Sequence, residues 1–396
     1  MGPNLGVWMR AVELFAGAGG LAIGTALAGF KHELVLEWNH DACATIRANQ
    51  DRGTKIVQGW PVFEGDVRSY DYSKFKEGMD LVAGGPPCQP FSLGGKAKGH
   101  EDDRDMFPEA VRAVRELRPR AFMIENVKGL LRQSFSTYFE YITLQLTHPE
   151  VKKKKGEGWP DHLKRLERHH TGKGRRSGLN YQLVYRLLNA ANYGVPQRRE
   201  RVVIVGFRED QFPAWSFPTE THSEDRLLWD QWVTAEYWDR HKVAKKRRPE
   251  MPTTLRLRVD RIKSDGAPAG SPWRTVRDAI SDLPDPTKRD WTKIPNHKLN
   301  PGARVYPGHT GSPWDVPAKT LKAGAHGVPG GENTLANADG SVRYFTVRES
   351  ARLQTFPDDY TFEGSWGEVM RQLGNAVPVE MAHAVASSIK DHLAKG

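Results

Sequence analysis

Short apolar runs with β propensity alternate with helical patterns along the first half of the chain, and this alternation limits the fold more than any other feature. Between the runs, apolar residues recur at helical spacing, as Val111, Val114 and Leu117 do. Buried apolar strands separated by helices predict an α/β fold with a doubly wound, mostly parallel sheet, in which ligands bind at the carboxyl ends of the strands. The predicted strands are AVELF (11–15), ELVLEW (33–38), DLVAGG (80–85), AFMIENV (121–127) and RVVIVGF (201–207).

The length of 396 residues predicts two domains, because a single hydrophobic core typically stops growing at about 250–300 residues. The amino-acid composition changes after residue 207. Residues 208–344 are rich in Pro, Gly, Trp and Arg and contain few long periodic segments. The pattern at 379–394 is again that of an amphipathic helix. We therefore expect a larger domain over 10–207, a smaller irregular domain over 208–344, and a C-terminal segment, 345–396, that returns to the larger domain.

Composition excludes several classes of protein. The chain has 38% hydrophobic residues and no apolar run near the roughly 20 residues of a membrane span, which predicts a soluble globular protein. No export signal is recognisable. The two cysteines are too few for a disulfide framework, and neither lies in a CxxC or Cys/His cluster of the zinc-finger type. We expect a cytoplasmic protein without a metal site.

The formal charge of +10 and the pI near 9.4 favour a polyanionic partner. Residues 151–178 contain ten Lys/Arg and three Asp/Glu, so this stretch carries +7 of the net charge. It is predicted to be an insertion. A merely solvated segment is the simpler interpretation, and a contact surface for the partner is the alternative.

A glycine-rich turn follows the first predicted strand in ELFAGAGGLAIG (13–24). Gly17, Gly19 and Ala22 satisfy the G-x-G-x-x-G/A pattern, and Glu37 lies 20 residues after Gly17 at the end of the next strand. The glycines allow the backbone to approach a ligand, and the carboxylate can accept hydrogen bonds from ribose hydroxyls. An adenosine-containing cofactor is implied. A nicotinamide or flavin enzyme, or a purely structural turn, would show the same pattern.

Cys88 lies on a stiff loop, GGPPCQPFS (84–92), after the third predicted strand. Prolines on both sides fix the backbone, so the thiol is held at a strand's carboxyl end, where a nucleophile belongs. The attacking species is the thiolate, which requires an electropositive setting. The alternative is a small buried hydrophobe, as we assume for Cys43.

Two further groups are candidates for polar roles at the same sheet edge. Glu125, in ENV after the next strand, is expected to be partly buried and to serve as a general acid, although such a pair is also common in turns. In PQRRERVVIVG (196–206), Gln197, Arg199 and Arg201 fall at i, i+2 and i+4 and share one face of an extended segment. Two guanidiniums there suit phosphate or carbonyl oxygens, and an ordinary basic strand edge is the alternative.

Six motifs in order resemble those of DNA (cytosine-5)-methyltransferases of the bacterial restriction-modification type: ELFAGAGG, GGPPCQPFS, ENV, QRRER, RESARLQTFP and RQLGNAVP. The resemblance runs from about residue 12 to 389, interrupted by the basic insertion and the irregular domain. It implies the Rossmann-like fold of class I S-adenosylmethionine-dependent methyltransferases, with a catalytic domain at 10–207 and a target-recognition domain at 208–344.

The resemblance also implies a reaction at a cytosine rotated out of a DNA duplex. Cys88 matches the nucleophile that adds to C6, after which C5 accepts the methyl group. Glu125 matches the residue that protonates or hydrogen-bonds N3, and Arg201 the arginine that holds O2. Arg199 resembles the neighbouring arginine, which contacts the catalytic loop region or the backbone.

The cofactor implied is S-adenosyl-L-methionine, with S-adenosyl-L-homocysteine as product and no metal. Glu37 corresponds to the ribose ligand and Asp66 to the adenine ligand. Glu13 stands where many relatives have aspartate, and we expect its longer carboxylate to reach the cofactor's amino group or a backbone amide. The full set of implied cofactor-binding residues is Phe15, Gly17, Gly19, Glu37, Trp38, Asp66, Val67, Pro86 and Asn375.

Double-stranded DNA is the implied partner, and residues 92–107 resemble the family's mobile catalytic loop. The segment 308–328 resembles its recognition loops, which read base edges in the major groove. We expect a monomer in the bacterial cytoplasm or nucleoid, with a cognate restriction endonuclease that acts separately. The implied DNA-binding residues are Ser92, Arg104, Gln197, Thr320, Leu321, Lys322 and His326.

Three alternatives remain at this stage. One branch of the same family modifies transfer RNA. A DNA-binding protein without catalysis would keep the fold but has no need of Cys88, Glu125 and Arg201. A nicotinamide oxidoreductase would share only the glycine turn.

Overall fold

A computed structural model describes residues 8–75, 78–87, 105–172, 178–211, 214–288, 293–305, 310–323 and 331–395. The chain forms two compact units. The first comprises residues 1–188, 200–218 and 382–396, and the second comprises residues 189–199 and 219–381. Residues 189–199 and 345–381 thus pack with the middle of the chain, whereas the domain boundaries predicted from the sequence lie at 207 and 344. The functional assignment of these segments stays a prediction.

The first unit is built on a seven-stranded sheet, counted over the described residues, with the order β3-β2-β1-β4-β5-β7-β6. The pairs among β1 to β5 are parallel, and β7 runs antiparallel to β5. The predicted α/β fold with a mostly parallel sheet is confirmed. The strands are β1 (Met9–Leu14), β2 (Phe30–Glu37), β3 (Val62–Glu64), β4 (Leu81–Gly84), β5 (Ala121–Val127), β6 (Tyr181–Asn189) and β7 (Glu200–Arg208).

Helices of this unit begin where the sequence offers a cap or a turn. The side chain of Asn39 accepts a hydrogen bond from the amide of Ala42 and so caps the second helix. The third helix buries Val111, Val114 and Leu117 on the predicted face. The helices are α1 (Gly20–Leu27), α2 (His40–Asp51), α3 (Phe107–Leu117), α4 (Ser136–Thr147) and α5 (Trp159–Thr171).

The core of the first unit lies on both sides of β5. Phe122 is fully buried, and in the antiparallel register it faces Gly206 of β7. A Cβ at position 206 would lie 2.2 Å from the Phe122 ring, so only glycine admits the ring there. Truncating a buried phenylalanine of this kind typically costs about 3–5 kcal/mol.

The second unit consists of short elements, as its composition predicts. Its strands are β8 (His222–Ser223), β9 (Ser271–Pro272), β10 (Ser312–Pro313), β11 (Thr334–Ala336) and β12 (Val342–Tyr344). Its helices are α6 (Glu224–Leu228), α7 (Glu236–Arg240), α8 (Arg256–Asp265), α9 (Val276–Ile280), α10 (Val347–Leu353) and α11 (Trp366–Asn375). The last helix, α12 (Val379–Leu393), begins in this unit, and its residues from 382 onward belong to the first.

The described residues contain neither a candidate membrane-spanning helix nor a candidate metal-binding group. None of their helices combines the length and apolar character that crossing a bilayer requires. No group of three or more His, Cys, Asp or Glu side chains among them could hold a metal ion.

Candidate active site

The strands β1, β2, β4 and β5 are parallel and adjacent, so their carboxyl ends meet at one edge of the sheet. The glycine turn follows β1, Glu37 ends β2, and the Pro86 segment follows β4. Glu125 lies near the end of β5. The sequence motifs that were predicted to carry chemistry therefore meet at this edge, as the fold rule requires.

One carboxylate fixes the glycine turn to the second strand. The Gly17 amide donates to Glu37 Oε2 at 2.7 Å, while the amides of Trp38 and Asn39 donate to Oε1 at 2.9 and 2.7 Å. Gly17 has φ +53°, and a Cβ built there would meet no atom within 4 Å. A left-handed turn with open space beside it suits the close approach of a ligand to the backbone. Phe15 (φ 55°) and Gly19 (φ 88°) are left-handed as well.

The other implied cofactor residues near this turn have different surroundings. The indole of Trp38 is exposed, and Val67 is buried. The Arg68 guanidinium donates hydrogen bonds to the Asp66 carboxylate, with Nε 2.9 Å and Nη2 2.6 Å from Oδ2. Hydrogen bonds from the Arg68 side chain lower the pKa of Asp66. An adenine amine at Asp66 would have to share this carboxylate with Arg68.

Glu13 does not behave as expected from the sequence. Its side chain is fully buried on β1, and neither carboxylate oxygen accepts a hydrogen bond from a described residue. Its nearest ionisable neighbour is His32, with Nε2 3.7 Å from Oε2. Burial raises the pKa of Glu13 and lowers that of His32 to about 3, which favours the neutral form of both. The expectation that Glu13 reaches a backbone amide is wrong, because its position on β1 turns the side chain into the core.

The backbone that leads to Cys88 is anchored on β5. Asn126 donates from Nδ2 to the carbonyl of Pro86 at 3.0 Å, and its Oδ1 accepts from the Val127 amide at 2.9 Å. Sequence analysis gave Asn126 no role, although the amide directly after Glu125 was a usable signal. Cys88 itself, with Ser92, Arg104 and His326, lies outside the described residues.

Glu125 and Arg201 form an ion pair at the site edge. Arg201 Nε lies 2.8 Å from Glu125 Oε1, and both side chains are nearly buried. The antiparallel register of β5 and β7 brings them together across the sheet. Burial lowers the pKa of Arg201, although the carboxylate opposes that shift. A Cβ at Gly85 would lie 3.2 Å from Glu125 Oε2, so the end of β4 approaches the carboxylate closely.

Gln197 and Arg199 have partners within the second unit. The guanidinium of Arg199 is fully buried and donates to the carbonyls of Leu321 at 3.2 Å and Gly374 at 2.7 Å. Gln197 accepts from the Leu321 amide at 2.9 Å and donates to the Leu353 carbonyl at 3.2 Å. Arg199 does bind carbonyl oxygens, as the sequence suggested, but they are those of its own chain. Both side chains fix the backbone at Leu321.

The remaining predicted residues border the same segment. The Thr320 hydroxyl donates to the Arg198 carbonyl at 2.7 Å, and Leu321 is buried. Lys322 is exposed, and its Nζ lies 3.2 Å from Glu332 Oε1. Asn375, the last residue of α11, is exposed.

Gly374 is expected to tolerate no side chain. A Cβ there would lie 2.2 Å from the Ala323 amide nitrogen and 2.4 Å from the Lys322 carbonyl carbon, and both are backbone atoms that cannot turn away. We expect Gly374→Ala to displace the 320–323 segment, to lower the melting temperature by several degrees and to weaken binding of duplex DNA. Gly367→Ala, on the same helix with open space at its Cβ, is the matched control. Equal melting temperatures of the two variants would contradict the close packing.

The sequence model of the family described as C-5 cytosine-specific DNA methylase matches residues 9–149 and 173–391. The chain belongs to this family. It is therefore a DNA (cytosine-5)-methyltransferase of a family that uses S-adenosylmethionine, and the resemblance seen in its motifs is confirmed.

Curated relatives and solved structures agree with the family. The Type II methyltransferase M.PspPI of Psychrobacter sp. (strain TA137) is 32% identical over 96% of this chain and 78% of its own length. M.NgoMIV of Neisseria gonorrhoeae is 32% identical over 97% of this chain and 98% of its own. The S. pombe Dnmt2 methyltransferase structure superposes with a TM-score of 0.54 at 17% identity, covering 97% of this chain and 98% of that one. At that identity the structure supports the class I fold alone.

Proposed function

We propose that this methyltransferase modifies cytosine C5 within a specific short duplex sequence, as the modification arm of a restriction-modification system. The Type II methyltransferases that match nearly the whole chain support the biological setting. The observation that carries the chemistry is the Glu125–Arg201 pair, at 2.8 Å, on the sheet edge where the Cys88 segment leaves β4. An acid and a guanidinium held side by side match the adjacent N3 and O2 of a pyrimidine.

The proposed reaction begins with attack of the Cys88 thiolate on C6 of a cytosine rotated out of the duplex. Rotation costs a few kcal/mol, which contacts with DNA must offset. Glu125 protonates or hydrogen-bonds N3, and Arg201 donates to O2, so the charge that enters the ring is stabilised. S-adenosylmethionine supplies the methyl group that C5 accepts. A base then takes the C5 proton, the C6–S bond breaks to release the Cys88 thiolate, and any proton placed on N3 returns to Glu125, which restores the ring.

The residues of the glycine turn fit an adenosine-containing cofactor. Gly17 presents open space beside a left-handed backbone, and Glu37 is held at the end of β2 by three amides. We propose that Glu37 binds the ribose and Asp66 the adenine, with Phe15, Gly19, Trp38, Val67, Pro86 and Asn375 completing the site. Asp66→Asn is the informative variant, because it keeps the size of the side chain but loses the charge that Arg68 pairs.

DNA recognition is proposed for the irregular domain, 208–344. Thr320 and Lys322 border a segment whose backbone is fixed by Gln197 and Arg199. Gln197 and Leu321 are buried, which favours positioning of this segment over direct contact with bases. Ser92, Arg104 and His326 remain proposed DNA contacts. A monomer is sufficient for the reaction, because each chain carries one complete set of motifs.

Bisulfite sequencing of DNA from cells that express the chain tests the function directly. We expect one short sequence context in which a single cytosine is protected from conversion. Tritiated methyl incorporation into duplex DNA and into tRNA is the companion measurement. Incorporation into tRNA alone, with no protected cytosine in DNA, would replace the proposed substrate.

The basic insertion is proposed to add phosphate contacts. Lys152 to Lys155 form an exposed run, so their charges are available to the DNA backbone. Each phosphate contact contributes about 0.9 to the slope of log K against log salt. We expect replacement of all four lysines by glutamine to flatten this slope by up to about 3.6 in fluorescence anisotropy with duplex DNA. Replacement by arginine should preserve the slope, and an unchanged slope in the glutamine variant would discard the idea.

A further inference from the structure

The insertion contains a helix that lies outside the ranges matched by the family model. The family model leaves residues 150–172 unmatched, and this range, here called the inserted element, includes all of α5. The structure describes every residue of it. The family model therefore assigns no role to the inserted element.

The inserted element packs closely on α4. Leu163 and Leu166 are buried within the same hydrophobic cluster as Tyr138 and Tyr141. Tyr141 donates its hydroxyl to Nδ1 of His162 at 2.8 Å, because His162 Nε2 must donate to the Val151 carbonyl at 2.7 Å. Leucine burial and a satisfied buried histidine together fix the helix in place.

The first residue of α5 contacts the two tyrosines of α4. The ring of Trp159 lies edge-on to Tyr138, with centroids 6.0 Å apart and planes at 81°, and 5.6 Å from the Tyr141 ring. Aromatic pairs at such distances stabilise the fold by more than their buried area accounts for, and they restrict the positions of both rings. Trp159 thus limits the positions open to Tyr138.

Tyr138 binds Asp105, which lies two residues before the start of α3. Its hydroxyl donates to Asp105 Oδ2, and Asp105 Oδ1 accepts from the Phe107 amide at 3.2 Å at the start of α3. The next residue, Met106, donates its amide to the carbonyl of Pro87 at 3.3 Å. Pro87 immediately precedes Cys88, so this hydrogen bond ties the residue before Cys88 to the start of α3.

We propose that the inserted element fixes the position of Pro87, the residue before Cys88, for methyl transfer, through the contacts of Trp159 with Tyr138 and of Tyr138 with Asp105. Asp105, Met106 and Pro87 connect the hydroxyl of Tyr138 to the residue that bears the nucleophile. Tyr138 and Trp159 are positioning residues and touch no reacting atom. The inference rests on the proposed role of Cys88 and assigns to the inserted element a task distinct from phosphate binding.

Tyr138→Phe is the sharpest test, because it removes one hydroxyl and leaves the ring against Trp159. The substrate is the duplex defined by bisulfite sequencing, and active enzyme is counted by S-adenosylmethionine binding. We expect the single-turnover rate of methyl transfer per active enzyme to fall about tenfold, the order that loss of a hydrogen bond to a charged group produces. The dissociation constant for S-adenosylmethionine should not change. Trp159→Ala should slow the reaction too, and Trp159→Phe should restore most of the rate.

Tyr181→Phe is the matched control. Tyr181 is also buried in the first unit, and its hydroxyl donates to the Pro119 carbonyl at 2.7 Å rather than to Asp105. We expect this variant to keep the wild-type rate per active enzyme even where its melting temperature falls as much as that of Tyr138→Phe. Equal rates in the two variants would overturn the inference. If the wild-type protein formed no adduct with a 5-fluorocytosine duplex, the proposed function would fail, a result distinct from a selective defect in Tyr138→Phe.

Discussion

Replacement of Cys88 by serine is expected to reduce methyl transfer by about four orders of magnitude or more, the order seen when a covalent nucleophile is removed from other enzymes. A hydroxyl at this position is too weakly acidic to form the attacking anion near neutral pH. The measurement is tritiated methyl incorporation into duplex DNA by purified protein. Binding of S-adenosylmethionine should persist, because its proposed ligands lie elsewhere on the sheet edge.

Cys43→Ser is the matched control, since Cys43 is a second cysteine in the same unit. It is buried, and burial raises the pKa of its thiol to about 12, so it forms almost no thiolate near neutral pH. We expect the control to retain methyl transfer and to form a covalent adduct with a 5-fluorocytosine duplex, whereas Cys88→Ser forms none. Methyl transfer at the original speed in Cys88→Ser would remove the basis of the proposed mechanism.

Removal of the carboxylate from the Glu125–Arg201 pair is expected to cause the second largest loss of methyl transfer. Glu125→Gln keeps the shape of the side chain but cannot supply a proton, and general acids typically contribute about 10²–10⁴-fold to rate. It also leaves the nearly buried Arg201 guanidinium without its carboxylate partner. Loss of one member of a buried pair typically costs about 3–5 kcal/mol. We expect the rate of methyl transfer to fall by about 10²–10⁴-fold and the melting temperature to fall as well.

The double variant Glu125→Gln, Arg201→Met separates catalysis from stability. Removal of both charges abolishes the uncompensated buried guanidinium, so the melting temperature should recover part of what Glu125→Gln lost. Methyl transfer should not recover, because an amide at position 125 cannot transfer a proton to N3 and a methionine at position 201 has no donor for O2. Recovery of the rate with stability would show that the pair acts only by holding β5 and β7 together.

The residues of the candidate site could be proposed from sequence because they lie within short motifs. The glycine turn, the ENV segment and the spacing of 20 residues between Gly17 and Glu37 are local patterns, and the parallel sheet brings such strand ends to one edge. The fold class followed from alternation of apolar runs and helices for the same reason.

The partners of individual side chains could not be predicted in this way. Sequence spacing suggested that Arg199 and Arg201 act as a pair, but Arg199 binds the carbonyls of Leu321 and Gly374, which lie 122 and 175 residues away. Glu13 was expected to reach a backbone amide, yet the face of β1 on which it lies buries it beside His32. Both outcomes depend on contacts between segments that are remote in the chain.

The sequence by itself determined the fold class and the order of the motifs, and it supplied the proposed nucleophile, acid and cofactor-binding residues, because each depends on local residue type and spacing. Only the tertiary structure decided that Glu125 pairs with Arg201, that Asn126 anchors the Pro86 segment, and that the inserted helix contacts Tyr138. The physical reason is that strand register and helix packing set which side chains meet. These are properties of the whole folded chain, and no short stretch of residues contains them.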